Sequence, residues 1–164
     1  MRTYAYDRAR AVAYAHRWAY RRNPKFYNFD GLGGDCTNFA SQCILAGAGI
    51  MNPTPTFGWY YRSLSDRSPS WTGVEFLHNF LVGNEGQGPF AVVTELAEAQ
   101  PGDIIQLRFS GDVFQHSPVA VWVGRKPTPA NILVAAHTYN TDFRPLSSYD
   151  YEECRCLHIL GVRK

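Results

Sequence analysis

What most constrains this chain is a change of character along its length. In the second half, "DIIQLRF", "SPVAVWVG", "NILVAAHTY" and "CRCLHILGV" are short β-branched or aromatic runs separated by Pro, Gly and Asn turns. Such runs read as antiparallel strands. The first half instead carries helical periodicity interrupted by glycine- and proline-rich loops. Helices first and strands second predict an α+β fold rather than alternating α/β units.

From Asp7 to about Arg22 the pattern is helical. Ala11, Tyr14, Ala15 and Trp18 form one stripe, and Asp7 is placed to cap it. "RRNPKFYNFDGLGG" breaks that helix. After Cys36 a second helix begins, with Phe39, Cys43 and Ala46 on one face, and Gly47 and Gly49 ending it. "MNPTPTFGWYYRSLSDRSPS" reads as a long loop carrying Trp59, Tyr60 and Tyr61. Thr72 to Glu75 fits a capping box opening a third helix, with Val74, Leu77 and Leu81 inward. "GNEGQGP" reads as another breaker. Asp103 is expected to cap a turn before its strand.

The 164 residues predict one domain spanning 1–164, long enough to bury a core without metals or disulfides. Hydrophobic residues at 45% and charged residues at 18% exclude a disordered chain. A net charge of +2, with no basic block beyond Arg21-Arg22, argues against a nucleic-acid partner. No run of about 18 apolar residues exists to span a membrane. "MRTYAYDRARAVAYAHRW" lacks the apolar stretch of a signal peptide, so either the protein works where it is made or it is a domain of a longer exported chain. The four cysteines do not form a disulfide framework pattern.

"GGDCTNF" places Cys36 at a helix start. With Asp35 near the N-cap, the sulfur lies close to unpaired amides and the positive end of the helix dipole. That setting favours thiolate, the attacking species, and predicts labelling by iodoacetamide with a pKa below about 8. The same amides suit an oxyanion. The alternative is a small buried hydrophobe beside a cap.

A nucleophile needs a base. His116 opens one predicted strand, and His137 lies within or at the end of the next. Paired strands would set them side by side, with His116 deprotonating Cys36 and His137 accepting the Nδ1–H of His116. Asn140 and Asp142 are rivals for that third role. His16, His78 and His158 read as satisfied structural polar residues. Cys154, Cys156 and His158 alternate on one strand face, but adjacent strand residues converge poorly on one ion, so no metal site or cofactor is expected. No G-x-S-x-G, Walker-type loop or dinucleotide fingerprint is present. Aromatics at 15% fit a cleft, with Trp59, Tyr60, Tyr61 and Trp71 as lining candidates, or simply additional core.

"GGDCTNFASQCILAGAGIMN", "WYY", "SWT", "QPGDIIQL", "HSPVAV" and "HTYNTDFRPLSSY" together resemble the bacterial putative amidase domain family, over nearly the whole chain. That family looks like a branch of the papain-like cysteine peptidases, near the NlpC-like cell-wall endopeptidases and the cysteine, histidine-dependent amidohydrolases. The resemblance implies a papain-like fold, with the nucleophile helix on a curved antiparallel sheet of about five or six strands. It implies Cys36 as nucleophile, His116 as general base and His137 as the third polar residue. Asp35 is similar to the acid that commonly precedes the nucleophile in cell-wall relatives. Tyr27 or Asn28, with the Cys36 amide, are the oxyanion candidates.

The implied activity is hydrolysis of an amide bond through a thioester, with a peptide or peptidoglycan-type substrate. Two alternatives follow from the same residues: a thiol acyltransferase using the same dyad, and a non-catalytic module that binds wall polymers. Cys36 preceding His116 resembles the hydrolase order, not that of the circularly permuted acyltransferases.

Overall fold

The computed structural model describes residues 1–164. In chain order the elements are β1 (Thr3–Tyr4), α1 (Arg8–Trp18), α2 (Cys36–Ala48), β2 (Tyr61–Ser63), β3 (Asp66–Arg67), α3 (Pro69–Thr72), α4 (Val74–Gly83), β4 (Gly88–Thr94), β5 (Ile104–Arg108), β6 (Val119–Val123), β7 (Ile132–Ala136), β8 (Thr141–Pro145) and β9 (Glu153–Arg163). The fold is α+β, as the order of patterns predicts.

Local chemistry accounts for the helix ends. Asp7 accepts the Arg10 amide at 3.0 Å and caps α1. Gly49 takes φ 73° and closes α2 by donating to the Leu45 carbonyl at 2.8 Å. Gly47 lies inside α2 rather than at its end. A Cβ there would meet the Tyr6 ring at 2.5 Å and the Asp7 carbonyl at 2.8 Å, so the missing side chain lets the α1 lead-in press onto α2. The expected capping box of α4 does not form. Gly73 is the N-cap, and the Glu75 carboxylate instead accepts the Phe114 amide and Arg155.

Seven strands make one antiparallel sheet in the order β1-β9-β5-β6-β7-β8, with β4 also pairing β9. The 11-residue β9 is the spine. It pairs β4 along one edge, and β5 and then β1 along the other. Register shifts in the β4–β9, β6–β7 and β7–β8 pairs bend the sheet into a curled half-barrel. Alternate residues face opposite sides. Ile104, Val119, Val121, Ala135 and Leu157 pack with Ala11, Ala15, Phe39 and Ile44 of the helices. Ile105, Ala120, Val134 and Cys156 bury against Leu146 and Ala99 on the other face. Burial on both faces explains why the strands read as near-continuous apolar runs. A two-stranded hairpin of β2 and β3 stands apart.

The sheet exceeds the five or six strands expected. β1 is two residues long, β8 carries mixed polar residues, and β4 begins inside the Gly-Pro segment read as a breaker. Pro89 is tolerated there because β4 is an edge strand.

Asp103 does more than cap its turn. Fully buried, it accepts the Gln100 and Ile159 amides, Arg8 and His158, tying α1 to the sheet. Cys156 also contacts Asp103, so the alternating Cys154-Cys156-His158 face is packed into this knot. No group of three His, Cys, Asp or Glu side chains is arranged to hold a metal ion. No helix is long and apolar enough to cross a membrane.

Candidate active site

Cys36 is the first residue of α2, with Asp35 at the N-cap. Its amide donates to no group of the protein, as expected in a first helical turn. Gly33 and Gly34, at φ 85° and 97°, supply the backbone turn that delivers the chain to this point. The next residue, Thr37, is fully inside. Its Oγ1 lies 3.7 Å from the Cys36 sulfur and 3.1 Å from Ser117 Oγ. Ser117 Oγ in turn accepts Gln106 Nε2 at 3.2 Å, and Gln106 Oε1 accepts the Arg155 guanidinium at 2.7 and 2.9 Å. This buried chain of polar groups stitches the start of α2 to β5, the lead-in to β6 and β9.

Ser117 follows His116, so the stitch brings the thiol to the imidazole's segment. The Ser117 backbone amide also acts on the Cys36 sulfur. His116 lies just ahead of β6, in a bridge with Leu107. It is buried, its ring hydrogen-bonds to no other residue, and it sits 5.6 Å from the Tyr149 ring and 6.3 Å from Phe109, centroid to centroid. It opens on a cavity of about 430 Å³ lined also by Gln115, Thr138, Arg144 and Tyr149.

The electrostatics overturn the expectation of a resting thiolate. Burial pushes the Cys36 thiol above its ordinary value, and the Asp35 charge adds to this. Hydrogen bonds from Thr37 and from the Ser117 and Thr37 amides only partly compensate. His116 moves the opposite way: burial, then the charge of Arg144, lower it to about 4. Both shifts favour the uncharged forms, thiol and imidazole, at neutral pH.

His137 does not join His116. It follows β7 directly, is buried, and stacks on Phe39 at 4.0 Å. Its Nδ1 meets Asp35 Oδ2 at 2.5 Å and its Nε2 meets the Trp18 carbonyl at 2.7 Å. Both partners are acceptors, so both ring nitrogens must carry protons for the two bonds to form. Such a ring has no lone pair to receive the Nδ1–H of His116. The rivals are also committed elsewhere: Asn140 accepts from Arg22 at 2.9 Å, and Asp142 pairs with His16 at 2.7 Å.

Asp35 is a buried clamp. Its carboxylate accepts the Phe29 amide, Asn38 and His137, with Arg22 Nε 3.3 Å away, and it does not reach forward to cap α2. Burial alone would raise its pKa, but the bonds from His137, Asn38 and the Phe29 amide outweigh that and lower it.

The other candidates lie off the cavity. Trp59 and Trp71 are fully buried, with their indole N–H groups on Ser41 and Asn38. Tyr60 and Tyr61 are buried as well; the Tyr60 ring carries Arg62, and the Tyr61 hydroxyl receives the Tyr27 amide. These aromatics are core and not cleft. Tyr27 and Asn28 are exposed: the Tyr27 carbonyl holds Asn38, and the Asn28 side chain accepts the Asp30 amide.

No sequence motif marks Thr37, Asn38, Gln106, Ser117, Arg144 or Tyr149. The signal available for two of them was adjacency, since Thr37 and Ser117 each follow a candidate catalytic residue. The others come together only through the sheet.

A thiol at a helix start, stitched to a strand segment carrying an imidazole, has the parts needed for acyl chemistry at an amide. Residues 5–160 match the family described as "Putative amidase domain", and the chain belongs to that family. It is 37% identical over 153 residues to the "Uncharacterized protein YhbB" of Bacillus subtilis (strain 168), covering 91% of this chain and 47% of that protein. The chain thus spans about half the length of the curated relative it matches. No solved structure matches it.

Proposed function

We propose that the chain is a single papain-like cysteine hydrolase domain that cleaves a peptide-type amide, with peptidoglycan peptides as the substrate class. Membership of the amidase family supports the reaction. The observation that carries the mechanism is the Thr37–Ser117 bond at 3.1 Å, which joins the residues immediately after Cys36 and His116.

Because both groups favour their uncharged forms, the thiol is activated during attack. His116 takes the Cys36 proton as the sulfur adds to the substrate carbonyl. The unpartnered Cys36 amide donates to the oxyanion. The C–N bond then breaks, the amine leaves with the proton held by His116, and a thioester remains on Cys36. Water, deprotonated by His116, adds to the thioester. The acid departs and the proton returns to sulfur. Asp35 and His137 act as positioning residues that hold the loop before Cys36 against α1 and β7.

Mass-spectrometric comparison of muropeptides digested with the protein and with Cys36→Ser tests this reading. New amine and acid ends, made only by the parent protein, are expected. An unchanged muropeptide profile with the parent protein removes the wall substrate, and identical products from both proteins remove the cysteine mechanism.

A further inference from the structure

Two donors lining the cavity beside His116, on Arg144 and Tyr149, have no carboxylate partner. Arg144, on β8, lies with its guanidinium 3.6 Å over the Tyr149 ring. Its Nε donates to Ser148 Oγ at 2.7 Å and its Nη2 to the Ser148 carbonyl at 3.2 Å. No carboxylate pairs with it, and its Nη1 has no partner. Other arginines near the site are neutralised: Arg22 by Asp30 and Asp35, and Arg155 by Glu75. The Tyr149 hydroxyl is likewise buried and finds no acceptor in the protein. Burial raises its pKa, and the neighbouring Arg144, by its charge and by hydrogen bonding, only partly offsets this. Asp150 lines the same cavity from its exposed rim, but it makes no ion pair with Arg144.

A cation that is stacked, oriented by two bonds to Ser148 and ion-paired with no carboxylate is preorganised for an anion. Its free edge suits a planar carboxylate, and an aromatic platform is a common guanidinium support. We infer that Arg144, carried on Tyr149, is the recognition site for a carboxylate on the substrate, placed close to the bond that Cys36 attacks. This rests on the hydrolase reading for its meaning and deepens it: the substrate class is an acyl-amino acid or peptide with a free carboxylate next to the scissile amide. The reach of Arg144's charge to His116 is a second sign that ligand, base and cation share one space.

Binding tests this without turnover. Cys36→Ala protein, labelled for imidazole resonances, is titrated with N-acetylglycine and with N-acetylglycinamide while His116 shifts are followed. The carboxylate probe is expected to bind roughly tenfold tighter than the neutral amide, the size of one charge-assisted hydrogen bond. Arg144→Met, which keeps an apolar stem over Tyr149, should erase the preference, and Arg144→Lys should keep part of it. Equal affinities, a preference that survives Arg144→Met, or binding of neither probe overturns the proposal. Failure of the hydrolase reading registers separately, as absence of a Cys36 acyl-enzyme in the parent protein.

Discussion

Thr37 and Ser117, which follow Cys36 and His116 in the chain, are hydrogen-bonded to each other at 3.1 Å in the interior. The bond joins a helix start to a strand lead-in 80 residues away. It defines where thiol and imidazole stand, and Gln106 and Arg155 extend it across the sheet.

Breaking that bond from one side leaves a buried hydroxyl unsatisfied. Thr37→Val or Ser117→Ala should each cost about 1–3 kcal/mol in urea unfolding, and the double variant less than the sum. Additive losses would mean that the two hydroxyls do not act on one another.

The stability of the fold should follow His116 in mild acid. Its pKa is held at about 4 against an ordinary 6.5, so the unfolded chain binds the proton more tightly. Stability is therefore complete above pH 6.5 and falls by about 3 kcal/mol as pH drops to 4. His116→Gln should flatten this window in denaturant unfolding at stepped pH. A slope that persists in the variant assigns the loss to another group.

Asp35 acts in a lower window. Its folded pKa lies below the ordinary 3.8, so its contribution is present above that value and is lost as pH falls through the depressed one. Asp35→Ala strands His137, while Arg22 keeps Asp30, and should cost about 3–5 kcal/mol at neutral pH, read by thermal or urea unfolding. A loss below about 1 kcal/mol would show that Asp35 does not clamp this loop.

Trp59 and Trp71 should behave as core. Trp71→Ala is expected to cost about 3–5 kcal/mol, while Trp59→Phe should lower stability and leave KM unchanged. A rise in KM without loss of stability would return these rings to a binding role.

The α+β order was legible because helical periodicity and strand-like runs occupy different halves of the chain. The helix starting at Cys36 was legible from Gly-Gly-Asp before it and Gly49 after it. β4 was hidden because Gly88 and Pro89 belong to an edge strand, where the ladder tolerates them. The partner of His137 is not legible because sequence places it one strand from His116 but says nothing of Asp35, whose carboxylate reaches it from the loop before α2. Tryptophans in a polar loop resemble a cleft until Ser41 and Asn38, on the buried face of α2, are seen to receive their N–H groups. A helix start in sequence says nothing of how deeply the Cys36 sulfur is buried, and desolvation is the largest influence on its pKa.

The most direct measurement is acylation of Cys36 by p-nitrophenyl acetate, followed by nitrophenolate release and by peptide mass mapping across pH. An acetyl group is expected on Cys36, with an acid limb near pH 4 where His116 gains its proton and at least a hundredfold loss of rate in His116→Ala. Acetyl groups on Cys43, Cys154 or Cys156 instead, or a Cys36 rate indifferent to His116, would contradict the cysteine mechanism.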